Sequence, residues 1–216
     1  MTHIKFVLAV LVLFAVLPVN ALDRTQIADS AENVTPLLIG QTVPNSKLQT
    51  VDGDPVSLKA LTLEKPTVLI FYRGGWCPYC NLQLKALQAR LSDIHGLGAQ
   101  LVAISPEVPD GSLGADEIDN MAFNVLSDQD SKVAAQYGIA WEVPEFFIEH
   151  MRVDRGLDLN VINNIANDRA QSSAILPIPA TFVISRDGII KWRYVDVDYR
   201  TRSEPEDIIT ALKKLA

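Results

Sequence analysis

The stretch from residue 67 to residue 105 restricts the fold more than any other part of the chain. Thr67-Val68-Leu69-Ile70-Phe71-Tyr72 is β-branched and apolar without polar alternation, the pattern of a central strand buried on both faces. Leu84, Leu87, Leu91 and Ile94 then recur at helical spacing within a helix expected from Leu82 to Ile94, which Gly96 and Gly98 would end. Leu101-Val102-Ala103-Ile104-Ser105 is the next central strand. Strand, helix and strand make a right-handed βαβ unit. Its first connection holds the only two cysteines of the chain, in Cys77-Pro78-Tyr79-Cys80. They fall at the carboxyl end of the first strand, where open α/β sheets place their sites.

That position has chemical consequences. Cys77 falls at or next to a helix N-terminus, where unpaired N–H groups and the positive end of the helix dipole favour an anion. A thiolate is stabilised there, so the thiol pKa should fall. Cys80 lies one turn deeper, and first-turn geometry puts the two Cα atoms roughly 5–6 Å apart, within the disulfide window. A disulfide across so small a loop would constrain the unfolded chain little. The spacing therefore favours reversible redox chemistry over a structural staple.

Composition narrows the function classes. The 216 residues are 48% hydrophobic, enough for one domain with a substantial core. The formal charge is −7 and no Lys/Arg cluster stands out, so no nucleic-acid partner is expected. The two cysteines with His95 and His150 do not have the spacing of a zinc site, and neither a metal nor a cofactor is expected. A copper-carrying role for the cysteine pair stays open.

The N-terminus reads as a targeting segment. Lys5 precedes an apolar run from Phe6 to Leu17, and Val19-Asn20-Ala21 is a small-residue cleavage pattern. Residues 1–21 are expected to be a secretory signal peptide cut after Ala21. The alternative, an uncleaved anchor, has only about a dozen apolar residues where a spanning helix needs ~20. The mature protein is expected to be exported, to the periplasm, and to meet a membrane only during export.

Residues 22–36 read as a loose or partly helical extension, and a compact domain over 37–216. Leu48–Val51 and Val56–Leu58 flank an Asp52-Gly53 turn, as in a hairpin. A loop over Pro106–Gly114 leads to a short helix over Asp116–Met121 and a strand at Val125-Leu126. Ser131–Tyr137 reads as a helix ended by Gly138. Residues 142–176 have weak helical periodicity and read as a helical insert beside the site. Thr181–Ile184 and Ile189–Val197 read as a hairpin across Arg186-Asp187-Gly188. A final helix runs to Leu215, with Ser203 as its expected N-cap and Pro205 in its first turn.

Strand, Cys-x-x-Cys on a helix, strand, Pro-x-Thr-Phe, hairpin and final helix resemble the thioredoxin fold. The expected fold class is thus α/β, a central mixed sheet flanked by helices, with an N-terminal hairpin and a helical insert. Two segments are more specific: Phe71-Tyr72-Arg73-Gly74-Gly75-Trp76-Cys77-Pro78-Tyr79-Cys80-Asn81-Leu82-Gln83-Leu84, and Leu176-Pro177-Ile178-Pro179-Ala180-Thr181-Phe182-Val183-Ile184 with Asp187-Gly188, Tyr199 and Arg202–Pro205. Together they resemble the peroxiredoxin-like branch of the alkyl hydroperoxide reductase/thiol-specific antioxidant family. The resemblance implies a thiol peroxidase that reduces hydroperoxides through a sulfenic acid and a Cys77–Cys80 disulfide, recycled by a thioredoxin-like donor.

Counting from Phe71, Cys80 takes the place of the family's peroxidatic cysteine and Cys77 that of its threonine. Helix-terminus logic instead makes Cys77 the stronger thiolate, and the question stays open. Arg73 stands where the family usually has a proline. The family's distal arginine would fall at Pro179, which instead matches the proline that thioredoxins hold in the cis form. Arg73 could supply the missing cation. Trp76 is expected to pack over the sulfur and Tyr72 to face either the site or the core. Pro78-Tyr79 is similar to the glutaredoxin dipeptide. His95, near a helix C-terminus, is given a dipole or surface role and His150 none. Trp141, Phe146 and Phe147 line either the core or a pocket. Two other readings remain: an exported thiol–disulfide oxidoreductase acting on protein thiols, and a thiol-based metal or partner binder.

Overall fold

The computed structural model of the protein describes residues 23–108, 121–163 and 174–215. The expected signal peptide and nearly all of the helix expected at 116–121 lie outside the described residues.

A buried strand dictates the layering. β3 (Thr67–Phe71) is buried at all five positions and pairs parallel with β4 (Gln100–Ser105) and antiparallel with β8 (Ala180–Ile184). β5 (Asn124–Ser127) adds parallel to β4, and β9 (Ile190–Val195) adds antiparallel to β8. The hairpin β1 (Lys47–Gln49) and β2 (Pro55–Ser57) closes the other edge, giving the seven-stranded order β2-β1-β5-β4-β3-β8-β9. Alternation along β3 splits the core in two. Leu69 and Phe71 point into one apolar cluster with Tyr137, Phe182 and Ile184. Val68, Ile70 and Tyr72 point into the other, with both cysteines, Leu84, Leu87, Ile94 and Ile208. Each such buried Leu, Ile or Phe contributes about 1.5–3 kcal/mol.

The leucine stripe holds, but the helix that carries it is broken. α2 (Pro78–Ala89) brings Leu84 and Leu87, α3 (Leu91–Gly96) brings Leu91 and Ile94, and all four are buried. The break is at Arg90, whose backbone leaves helical geometry and whose side chain reaches Asp93 at 2.5 Å and Glu206 at 2.8 Å. A helix not expected, α1 (Leu58–Glu64), follows β2 directly, because the Ser57 hydroxyl accepts the Ala60 N–H and caps it. α4 (Lys132–Gln136) ends at Tyr137, before Gly138.

The region expected as a helical insert is helical in its middle and closed by strands. α5 (Glu145–Arg155) and α6 (Leu159–Ile162) lie between β6 (Ala140–Glu142) and β7 (Ile175–Pro177), which pair as a separate antiparallel ribbon. The N-terminal extension is tied to this ribbon: Ala28 N–H donates to the Ala140 carbonyl and Glu142 N–H to the Ala28 carbonyl. α7 (Pro205–Lys213) closes the fold with Pro205 at its first position. Its N-cap is Glu204, not Ser203. The Ser203 hydroxyl is buried and committed elsewhere, to Gln83 at 3.1 Å and Thr181 at 2.8 Å.

Candidate active site

The connection from β3 to α2 is pinned from both sides. Gly75 N–H donates to both carboxylate oxygens of the buried Glu107 at 2.9 and 3.0 Å, and Asn81 Nδ2 donates to the Gly75 carbonyl at 2.7 Å. Ser105, at the end of β4, donates to the same Glu107 carboxylate at 3.2 Å. Gly74 has φ +136°, and a Cβ there would stand 2.5 Å from Trp76 Nε1 and 2.9 Å from Glu107 Cδ. Only glycine fits that conformation and that space.

Held this way, Cys77 becomes the N-cap of α2, with Pro78 at the first helical position and the Cys80 and Asn81 N–H groups donating to the Cys77 carbonyl. Both cysteines are free thiols and both are buried. Their environments nevertheless pull them apart. A hydrogen bond from the Cys80 thiol, opposed by burial and aided by the Cys80 N–H, Arg73 and Arg202, lowers the Cys77 pKa to about 6. Burial raises Cys80 well above an ordinary thiol, and its hydrogen bond to Cys77 and the charge on Cys77 raise it further. The pair is one thiolate and one thiol, the second donating to the first.

Two arginines attend these sulfurs. Arg73, only 4% exposed, is held among rings: its guanidinium carbon is 4.3 Å from the centre of Tyr199, 4.9 Å from Trp76 and 5.1 Å from Phe147. Stacking on aromatic faces stabilises a cation that burial would otherwise penalise. Arg202 arrives from the β9–α7 loop. Its Nη2 lies 3.4 Å from Cys80 Sγ, while its Nη1 donates to the carbonyls of Tyr199 and Thr201. Tyr199 also packs edge-on against Tyr79, with ring centres 5.8 Å apart. One loop thus brings a ring to Arg73 and a cation to Cys80.

A cavity of about 110 Å³ opens beside Cys77. Arg73, Trp76, Phe147 and Tyr199 wall it, and His150 and Arg155 from α5 stand at it as well. Among the described residues, no group of three or more His, Cys, Asp or Glu could hold a metal ion.

The residues singled out in the sequence fall as follows. Cys77, Arg73 and Trp76 meet at the cavity. Cys80 and Tyr72 lie behind it, in the apolar cluster under α2. The Tyr72 hydroxyl is buried beside Ser105, Glu107 and Cys80, and burial pushes its pKa far up. Pro179 is buried at the same end of the sheet, one residue before Ala180, which pairs with Phe71. Its expected cis bond is corrected: no peptide bond among the described residues is cis. Between β7 and β8 the Ile178 N–H donates to the Ile139 carbonyl at 2.8 Å. Trp141 is half-buried against the core, Phe146 is 76% exposed, and Phe147 is the one of the three at the cavity. His95 is exposed in the last turn of α3, and His150 pairs with Asp154 at 2.6 Å. Sequence reasoning missed Arg202 and Tyr199 as site residues, although both stand in the distal segment that carried the resemblance. It missed Glu107 and Arg155 altogether, and no local pattern marks either.

Comparison with known proteins agrees with this architecture. The AhpC/TSA family pattern matches residues 39–193. A putative peroxiredoxin bcp of Helicobacter pylori strain J99 is 34% identical over 122 residues, covering 55% of this chain and 78% of the relative. Peroxiredoxin Bcp of Escherichia coli K12 is 24% identical over 183 residues, covering 85% of this chain and all of the relative. Among solved structures, peroxidoxin BcpB of Mycobacterium tuberculosis superposes with a TM-score of 0.59 at 20% identity, over 82% of this chain and 97% of that one. The match spans the sheet, both cysteines and the ribbon that carries α5, and the chain belongs to the AhpC/TSA family.

Proposed function

We infer that this protein is a thiol peroxidase that reduces hydroperoxides, with Cys77 as the attacking sulfur and Cys80 as the resolving one. One observation carries the assignment of roles: Cys77, not Cys80, stands at the helix N-terminus and lines the cavity, and its lowered pKa agrees with that. The Cys77 thiolate attacks the outer oxygen of RO–OH. An S–O bond forms, the O–O bond breaks, and RO⁻ leaves and is protonated to the alcohol. Cys77 is then a sulfenic acid, oxidised by two electrons, and the peroxide is reduced by two. Cys80 gives up its proton and attacks the Cys77 sulfur, forming the disulfide and releasing water. Arg202, 3.4 Å from Cys80 Sγ, favours the thiolate that this step needs. Arg73 places a permanent cation where negative charge develops on the departing oxygen.

A dithiol donor of the thioredoxin kind returns the pair to thiols by exchange. Export to the periplasm is supported by Lys5, the Phe6–Leu17 run and Val19-Asn20-Ala21. Stopped-flow mixing of the fully reduced protein with hydrogen peroxide or an organic hydroperoxide tests the activity. Disulfide formation orders of magnitude faster than a free thiol's is expected. A rate equal to a free thiol's, with rapid exchange against a protein disulfide, would make the protein a thiol–disulfide oxidoreductase instead.

A further inference from the structure

The cavity beside Cys77 has an unusual charge balance for an acidic protein. The chain carries −7, yet no Asp or Glu lines this cavity, while Arg73, His150 and Arg155 do. His150 is already paired, with Asp154 at 2.6 Å. Arg73 is buried and surrounded by rings, and its side chain makes no hydrogen bond among the described residues. Arg155 is exposed at the end of α5 and has no ion-pair partner among the described residues. Between the two arginines the walls are apolar, from Trp76, Phe147 and Tyr199. Hydrogen peroxide needs neither the apolar walls nor a second cation.

We propose that this cavity selects organic hydroperoxides that carry a carboxylate, with the hydrocarbon against the rings and the carboxylate on Arg155. The proposal rests on the peroxidase reading and names its substrate class. The cavity is small, so the favoured molecules have a short chain between the two groups. Arg73, buried and acting on the Cys77 charge, is assigned to the peroxide oxygens, leaving the exposed Arg155 for the carboxylate end. A guanidinium suits the task because its paired donors match a carboxylate.

The test compares the rate at which the reduced full-length protein is oxidised by a hydroperoxyhexanoic acid and by its methyl ester. The ester removes the charge and adds one methyl group, and the Arg155 variants separate the two effects. The acid is expected to react roughly tenfold faster, the scale of one hydrogen bond to a charged group. Arg155→Gln should bring the acid-to-ester ratio to within about twofold, and Arg155→Lys should restore part of it. Arg152→Gln, whose arginine is paired with Glu149 on α5 and does not line the cavity, should leave the ratio unchanged. The wild-type ratio should also shrink as salt screens the exposed arginine. Equal rates for acid and ester, both far above a free thiol's, would overturn the selectivity and leave the peroxidase standing. A ratio that survives Arg155→Gln would overturn Arg155 as the anchor. Acid, ester and hydrogen peroxide all reacting at a free thiol's rate would overturn the peroxidase reading itself.

Discussion

Cys77 and Cys80 are three residues apart, equally buried and each near an arginine, yet they are driven in opposite directions. Cys77 caps the helix and receives a hydrogen bond. Cys80 lies inside the first turn, gives that bond away, and is enclosed by Val68, Ile70, Leu84 and Tyr72. Burial alone would raise both thiols. Burial acts most strongly on Cys80, while the contact with Cys80, its backbone N–H and the two arginines lower Cys77. The arginines also differ in kind. Arg73 is a neighbour in sequence, stacked among rings, whereas Arg202 comes from a loop more than a hundred residues away.

The largest expected effect is loss of turnover, and removing either sulfur should cause it. Cys77→Ser and Cys80→Ser should each lower steady-state peroxide reduction by at least ~10³-fold, the scale of losing a catalytic nucleophile, as read by consumption of a thioredoxin-like donor. Cys80→Ala then probes the pair electrostatically. Without the S–H donor, the Cys77 pKa should rise from about 6 toward an ordinary thiol's. Each unit gained above neutrality costs roughly tenfold in thiolate at pH 7, measured by thiolate ultraviolet absorbance. Arg73→Met should move it in the same direction by less, because the Arg73 charge lowers Cys77 less than the hydrogen bond does. An unchanged oxidation rate in Arg73→Met would remove Arg73 from the reaction.

The same asymmetry has a stability signature. Cys77 has its pKa depressed on folding, so the thiolate's stabilising contribution is complete above the unfolded thiol's value of 9.0 and is lost as pH falls through about 6. The stability gap between the reduced protein and Cys77→Ser should therefore widen as pH rises from about 6 toward 8, in urea titrations at fixed pH. Cys80 is protonated in both folded and unfolded chains through most of that window and contributes little slope. Two smaller effects probe the supports. Gly74→Ala should cost about 1–3 kcal/mol, because a positive φ is strained for alanine and Glu107 and Trp76 occupy its space. Ser203→Ala should cost about 1 kcal/mol through the bonds to Gln83 and Thr181, and should loosen Arg202 from Cys80.

The cysteine side of this comparison was legible in the sequence and the cavity side was not, for physical reasons. The apolar run of β3, the leucine stripe and Cys-x-x-Cys are local patterns, and local periodicity reports them. Arg202, Tyr199 and Arg155 reach the site through tertiary packing, which leaves no spacing rule behind, and of the three aromatic residues singled out near the insert only Phe147 reaches the cavity. Ser203 looked like a helix cap because Glu206 stands three residues on. Its hydroxyl instead satisfies buried polar groups across the core. Pro179 looked like a cis proline by analogy, but its peptide bond is trans. The helix break at Arg90 was hidden because the apolar stripe continues through it.

The assignment of roles is tested most directly by locating the first oxidation product. Reduced Cys80→Ser and Cys77→Ser variants are each mixed with one equivalent of hydroperoxide, trapped with a sulfenic-acid reagent, and mapped by tandem mass spectrometry. The structure predicts a fast adduct on Cys77 in Cys80→Ser and only slow, free-thiol-like labelling of Cys80 in Cys77→Ser. A fast adduct on Cys80 in Cys77→Ser, with Cys77 left unlabelled in Cys80→Ser, would contradict it.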